Sequence, residues 1–495
     1  MKRYVTLASL LLMLAPGCSD GALESDADVQ GAGGSGGQTQ PAKDPPARPD
    51  STSPKGEAET IDFACDDRQP APERPTVMII DTGFDLNHPV FDGKIAGCYH
   101  LTCSDTDPLP PASTEDELAA QLVSTWSAGD ERCHLEEGSS LTVESYLLNF
   151  SPEARDDWNR AHLNKEFLPE TWSYNDAENM YAVLAQGSNG KFLYHGTGTA
   201  SLIAYENDVN LVMVQINLGT HEDAAAEVEC VDPDELAMEM AVLERPEVRD
   251  AYIKAPLSSE ERELLDLERA YGVRVRNESF GPIATRDWEE MLTDKGCPTV
   301  QLGDYTRVYG ELDAERDAYR RATGVFDGVE SLRIQAAGNE GLDIEGPQDK
   351  AHCTPNRVDR LLVGSYGLFR GRGALSWFSN RGGCVDLYAL GEDVIHAAPA
   401  AFVSAGSGTS YASPLVARVA SQWAKEEPTM QALRDRVVAA RTEDRFLPEV
   451  LMPVELAFFD PRTSDGMVRT LRSTIRPPGP PLYDLRRLPR LAHRR

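Results

Sequence analysis

At 495 residues the chain is long enough for one large domain or two to three ordinary ones, and its 41% hydrophobic content can supply a sizeable core. A formal charge of −32 argues against nucleic acid as a partner, because phosphate binding needs an excess of Lys and Arg, and it gives a well-solvated surface. The charge is uneven: residues 461–495 hold nine Arg and two Asp, a net +7, which leaves −39 for the remainder.

The N-terminus has the pattern of an export signal over residues 1–17. Lys2 and Arg3 give the positive start, and the mainly apolar run Val5 to Leu14 is too short to span a bilayer. "APGC" (15–18) resembles a bacterial lipoprotein box, although Leu14 stands four places before the Cys and Pro16 departs from the usual pattern. That resemblance implies a lipidated Cys18 as mature N-terminus. Ser19 after it implies the outer membrane or surface of a Gram-negative cell; the alternative is ordinary cleavage and secretion. Of nine cysteines, setting Cys18 aside leaves Cys65, Cys98, Cys103, Cys133, Cys230, Cys297, Cys353 and Cys384. An even number fits disulfides in an oxidising compartment, with buried thiols as the alternative, and none has the CxxC spacing of a zinc site.

Residues 18–75, with "GAGGSGG" and "PAKDPPARP", have linker composition and cannot bury a core. Residues 76–460 read as the folded domain, and the Arg-rich 461–495 with "RPPGPP" as a disordered tail. Strand candidates are "TVMII" (76–80), "LVMVQI" (211–216), "VRVRN" (273–277), "SLRIQAA" (331–337) and "RLLVGS" (360–365). Capping patterns at Thr114/Glu117, Asp232/Pro233/Glu235 and Ser258/Glu261 mark helix starts, and Gly272 marks a stop. Strands alternating with helices predict an α/β domain with a mainly parallel sheet, in which functional residues gather at the carboxyl ends of the strands.

Asp81 ends the first strand and opens Asp-Thr-Gly. An aspartic mechanism needs a second such carboxylate, and the chain holds no other Asp-Thr-Gly or Asp-Ser-Gly. A serine mechanism needs a His and a Ser downstream. "HGTGTASLIA" (195–204) offers His195 among small residues before a helical run. "GTSYASPLVARVAS" (408–421) offers Ser410 at a helix start, with Pro414 expected in the first turn, where its missing N–H does no harm. A serine there exposes its hydroxyl and aims a first-turn N–H outward. "QAAGNEG" (335–341) places Asn339 on a tight turn, where its amide can serve as a second oxyanion donor. Each motif alone is weak; the four in this order are specific.

Together these stretches resemble the subtilisin-like serine peptidases, in which the order is Asp, His, Ser; the proteinase K-like branch is nearest. The resemblance implies a three-layer α/β/α domain with a mainly parallel sheet, here carrying large insertions near 100–190 and 218–270. It implies Asp81, His195 and Ser410 as catalytic residues and Asn339 as the oxyanion donor. "NESFG" (277–281) is similar to the family's substrate-binding edge strand, so the backbone of Ser279, Phe280 and Gly281 would pair with an extended substrate. Ala337 and Gly338 would wall the pocket opposite. The branch also implies a Cys353–Cys384 disulfide; the other six cysteines allow fifteen pairings. His88 is a turn residue in the family pattern. No cofactor is required and no metal ligand is assigned; structural calcium would follow by family analogy, without any EF-hand-like spacing. Departures are Gly198, where many members have His, "ALG" in place of Ala-Pro-Gly, and no apolar prodomain before residue 76. The activity implied is an exported endopeptidase acting on polypeptides. A catalytically silent peptide-binding lipoprotein, or an esterase or ligase on the same scaffold, are the alternatives.

Overall fold

The computed structural model describes residues 71–103, 112–129, 132–138, 157–161, 190–216, 230–281, 284–350, 353, 359–369, 372–399, 401–440, 442–444 and 447–452. The signal segment, Cys18, Cys65, nearly all of the linker and the basic tail lie outside them.

Nine strands form the central sheet: β1 (Thr76–Asp81), β2 (Ile95–Cys103), β3 (Cys133–Glu137), β4 (Asn210–Ile216), β5 (Val273–Glu278), β6 (Leu332–Ala336), β7 (Arg360–Phe369), β8 (Arg372–Leu375) and β9 (Leu387–Leu390). Their order is β3-β2-β4-β1-β5-β6-β7-β8, with β9 also on β7. All pairings are parallel except β3 on β2 and β8 on β7. The five runs read as strands are β1, β4, β5, β6 and β7. The centre of the sheet is covered on both faces, which is why its strands are continuous apolar runs. Alternation splits β1 between two cores: Val77 and Ile79 join Ala200, Ile203, Val416 and Trp423 on one face. Met78 and Ile80 join Leu264 and Leu267 on the other.

The helices are α1 (Glu115–Ala128), α2 (Gly190–Ala204), α3 (Pro233–Leu243), α4 (Pro246–Ile253), α5 (Ser259–Tyr271), α6 (Thr285–Asp294), α7 (Gly303–Ala322), α8 (Thr409–Trp423) and α9 (Met430–Ala439). The expected caps are in place. Thr114 accepts from the Glu117 amide at 3.2 Å, Asp232 from the Asp234 amide at 2.9 Å, and Ser258 with Glu261 closes a reciprocal box. Gly272 ends α5 at φ +56°, a backbone that suits glycine. Pro414 differs from expectation. Because α8 begins at Thr409, Pro414 sits in its second turn and supplies no N–H to the Ser410 carbonyl four residues back.

Parts of the two insertions share one helical cluster. Leu122 of α1, Val242 of α3 and Val248 of α4 pack with Tyr305 and Leu312 of α7. Cys230–Cys297 ties the approach of α3 to the end of α6 with Cα atoms 5.2 Å apart. Cys103–Cys133 joins β2 to β3. Cys353 and Cys384 are bridged, as the resemblance implies, with Cα atoms 5.6 Å apart. A hairpin of β10 (Val394–Ala398) and β11 (Phe402–Gly406) precedes α8. Among the described residues no helix is long and apolar enough to cross a membrane.

Candidate active site

Three elements converge at the carboxyl end of the sheet: β1 ends on Asp81, α2 carries His195, and α8 opens with Thr409–Ser410. The approach of α2 to β1 depends on glycine. A Cβ on Gly196 would stand 1.9 Å from the Gly83 carbonyl oxygen, so no larger residue fits. The Thr197 hydroxyl then takes the Asp85 amide at 2.8 Å, locking the turn after β1 to the helix.

His195 and Thr199 lie four apart, on one face of α2. Each holds one oxygen of Asp81: His195 Nδ1 is 2.7 Å from Oδ1, and the Thr199 hydroxyl donates to Oδ2 at 2.9 Å. Asp81 Oδ1 also accepts from the Thr82 amide at 2.7 Å. The Asp81 side chain is 1% exposed and that of His195 14%, so the pair sits at the edge of solvent with the carboxylate inside. A carboxylate beside Nδ1 fixes the proton there and leaves Nε2 as the basic atom. The His195 ring lies 6.0 Å from that of Tyr411, the residue after Ser410.

Thr409 orients Asn339. Its amide and hydroxyl both reach Asn339 Oδ1, at 2.8 and 2.9 Å, and its hydroxyl accepts the Gly338 amide at 3.1 Å. With Oδ1 so engaged, Nδ2 faces the nucleophile side. A Cβ on Gly408 would lie 2.9 Å from Ser410 Oγ and 3.5 Å from Asn339 Nδ2, so hydroxyl and amide flank the same small volume.

Ser279, Phe280 and Gly281 follow the last paired residue of β5, Glu278. Ser279 turns its side chain inward, accepting from Asn277 Nδ2 at 2.9 Å and lying 3.3 Å from Ser413 Oγ on α8. The Phe280 ring packs partly against the core of Met78 and Ile80, so this segment offers backbone more than side chains. Opposite, Ala337 is buried and its carbonyl accepts from Lys350 Nζ at 2.6 Å and Asn380 Nδ2 at 3.0 Å. Gly338 adopts φ +104°, a region glycine alone enters easily. A Cβ there would meet Glu340, Asn380 and Lys350. Burial lowers the Lys350 pKa, partly countered by Glu340 and Asp287. Asp287, on the first turn of α6, is pushed up to about 7, first by burial and then by Glu340 and Glu290.

Thr199, Thr409, Asn380 and Lys350 were not singled out in the sequence. Only Thr199 left a readable signal, its spacing of four from His195. His88 is the expected turn residue: its Nδ1 accepts the Val90 amide at 3.2 Å. Among the described residues no group of three or more His, Cys, Asp or Glu could hold a metal ion.

The family model described as "Subtilase family" matches residues 73–443. None of the curated proteins matches the chain. Among solved structures, a cold-adapted subtilisin-like serine proteinase is 16% identical, with 78% of this chain and 89% of that one covered at a TM-score of 0.34. The self-cleaved protease domain of PatA is 17% identical, covering 78% and 95% at 0.35. The A subunit of the AB5 toxin from E. coli is 14% identical, covering 78% and 91% at 0.36.

Proposed function

The chain belongs to the subtilase family, whose model spans residues 73–443, and from that premise we propose that it is an exported serine endopeptidase working through Asp81, His195 and Ser410. The observation that supports this reading most is the Asp81 carboxylate held at 2.7 Å by His195 Nδ1 and at 2.9 Å by Thr199. With Nδ1–H directed at Asp81, His195 Nε2 takes the proton of Ser410 as its Oγ attacks the substrate carbonyl. The tetrahedral oxyanion is met by Asn339 Nδ2 and the Ser410 amide, a first-turn donor of α8. As the intermediate collapses, the C–N bond breaks and His195 returns the proton to the leaving amine. Water, deprotonated by the same imidazole, then hydrolyses the acyl-Ser410 ester and frees the carboxylic acid.

The substrate lies extended against the backbone of Ser279–Gly281, with Ala337–Gly338 across from it. Export is supported by the Cys103–Cys133, Cys230–Cys297 and Cys353–Cys384 bonds, which persist in oxidising compartments. Lipidation of Cys18, with residues 19–75 as tether, would hold the enzyme at a membrane surface. Calcium would be structural in this reading, and none of the steps runs through it.

The test is peptide hydrolysis at neutral pH by the exported protein and by Ser410→Ala. The reading expects cleavage by the first and only weak residual hydrolysis by the second. Peptide binding without cleavage by the unaltered protein would instead favour a silent binding cleft.

A further inference from the structure

The face of α2 that adjoins the one holding Asp81 is covered by the hairpin that precedes α8. Tyr194, Gly198 and Ser201 fall at i, i+4 and i+7, a single stripe, and that stripe is covered by the β10–β11 hairpin. Ser201 Oγ accepts the Ala397 amide at 2.9 Å. The Tyr194 hydroxyl donates to Ser404 Oγ at 2.8 Å. Between these two ties, His396 of β10 drives its ring into the gap left by Gly198. A Cβ on Gly198 would stand 2.6 Å from His396 Nδ1.

That ring touches both flanks of the site. It stacks on Tyr411, with centroids 4.7 Å apart and planes 15° apart, and Tyr411 follows Ser410. It meets Tyr194 edge to face at 5.0 Å, and Tyr194 precedes His195. His396 itself is buried, with Nδ1 2.8 Å from the Ala397 carbonyl oxygen. One rigid planar group therefore spaces the helix bearing His195 from the helix bearing Ser410. An imidazole has little rotamer freedom once stacked and bonded, so it sets a separation that a flexible side chain would not.

The hairpin is braced from outside as well. Within the 100–190 insertion, residues 157–161 form a helical turn against β11. Trp158 Nε1 donates to the Val403 carbonyl at 2.7 Å. Asn159 bonds both ways, accepting the Val403 amide at 2.8 Å and donating to the Ala401 carbonyl at 3.0 Å. Ala401 is held at φ +61°, a conformation alanine adopts only when its surroundings impose it.

We propose that His396 is a positioning residue for the His195–Ser410 pair, spacing α2 from α8 across Gly198, and that the insertion serves the active site by clamping the hairpin that carries it. The proposal rests on the serine-peptidase reading. Wild-type protein that neither cleaves peptides nor takes a fluorophosphonate label would defeat that reading, whereas an active wild type indifferent to His396 would defeat this proposal alone.

The experiment compares His396→Leu, which keeps volume but loses the flat ring, with His396→Phe, which keeps the ring. Both are measured per active site titrated with a fluorophosphonate, so that loss of folded protein does not count as loss of catalysis. The expected result is kcat at least 10-fold lower for His396→Leu with KM within twofold, and His396→Phe within threefold of wild type. A second arm adds a methyl where the ring sits. Gly198→Ala, which displaces the ring, lowers kcat as well, and pairing it with His396→Leu lowers it by less than the product of the two single losses. Wild-type kcat per site in His396→Leu, equal losses in the Leu and Phe variants, or fully multiplicative losses in the double variant would each overturn the proposal.

Discussion

Removing one methyl-sized hydroxyl from α2 gives a sharp test of how Asp81 is held. Asp81 is fully buried. Its Oδ1 receives the Thr82 amide at 2.7 Å, the Thr82 hydroxyl at 3.2 Å and His195 Nδ1 at 2.7 Å. Its Oδ2 is bonded by Thr199 at 2.9 Å. The Thr199 hydroxyl has a competing acceptor, the Gly196 carbonyl at 3.1 Å, but its single proton favours the charged oxygen. Thr199→Val keeps shape and volume and deletes that donor. A hydrogen bond to a buried charged group is worth about 1.5–3 kcal/mol. Expressed wholly in the transition state, this sets a ceiling of about 10–150-fold on the fall in kcat. Expressed in the folded state, it lowers the melting temperature by roughly 2–4 °C. Peptide hydrolysis and a thermal melt should be run on the same preparations, with Thr199→Ser, which keeps the hydroxyl, as the control. Thr199→Val is expected to lose kcat with KM little changed, and Thr199→Ser to recover most of it. Wild-type kcat and melting temperature in Thr199→Val would show that the Oδ2 bond does not hold the carboxylate in its working orientation.

Asn339→Ala is expected to cost about 10²–10³-fold in kcat, a magnitude carried over from subtilisin itself rather than worked from this geometry, with peptide affinity kept. Replacing Cys353 and Cys384 by Ser opens a loop with a sequence separation of 31 and should reduce stability by about 3–4 kcal/mol, read by urea unfolding; an unchanged midpoint would contradict the entropic account. Asp287, pushed up to about 7, binds a proton more tightly folded than unfolded. Its contribution is present below the unfolded carboxylate range and is lost as pH rises toward 7. Discounted for its partial exposure, Asp287→Asn should gain about 1–2 kcal/mol over wild type at pH 8 relative to pH 4, and parallel pH profiles would refute this. Cys18→Ser should move the protein from the membrane fraction to the soluble one with activity unchanged; a wild type already soluble after export would end the anchor proposal.

What could be read in the sequence was whatever depends on neighbours along the chain. Asp81 follows an apolar run and precedes Thr-Gly; Thr114, Asp232 and Ser258 cap helices through residues two or three places on; Gly272 stops α5 by its own backbone freedom. The order of Asp81, His195, Asn339 and Ser410 pointed to the fold because Asp81 and Asn339 follow strand runs and Ser410 opens a helix; His195, expected before a helical run, instead lies within α2, which begins at Gly190. Contacts made across the fold left little local signal. Lys350 meets the Ala337 carbonyl because residues 284 and 350 pair as an isolated bridge, which no periodicity announces. The packing of α1 on α4 and α7 depends on two insertions folding against each other, and the Cys103–Cys133 and Cys230–Cys297 bonds belong together to one of the fifteen arrangements open to six cysteines. Gly198 registered only as a departure from pattern. Its meaning lies nearly 200 positions away, in the ring of His396.

The central claim is that Ser410 is a nucleophile activated by His195, and covalent labelling tests it most directly. Purified protein treated with a fluorophosphonate at neutral pH and digested should yield one modified peptide, containing Ser410. His195→Ala should label far more slowly and Ser410→Ala not at all, with peptide hydrolysis lost in parallel. Label on another residue, or full peptide cleavage by Ser410→Ala, would contradict the account.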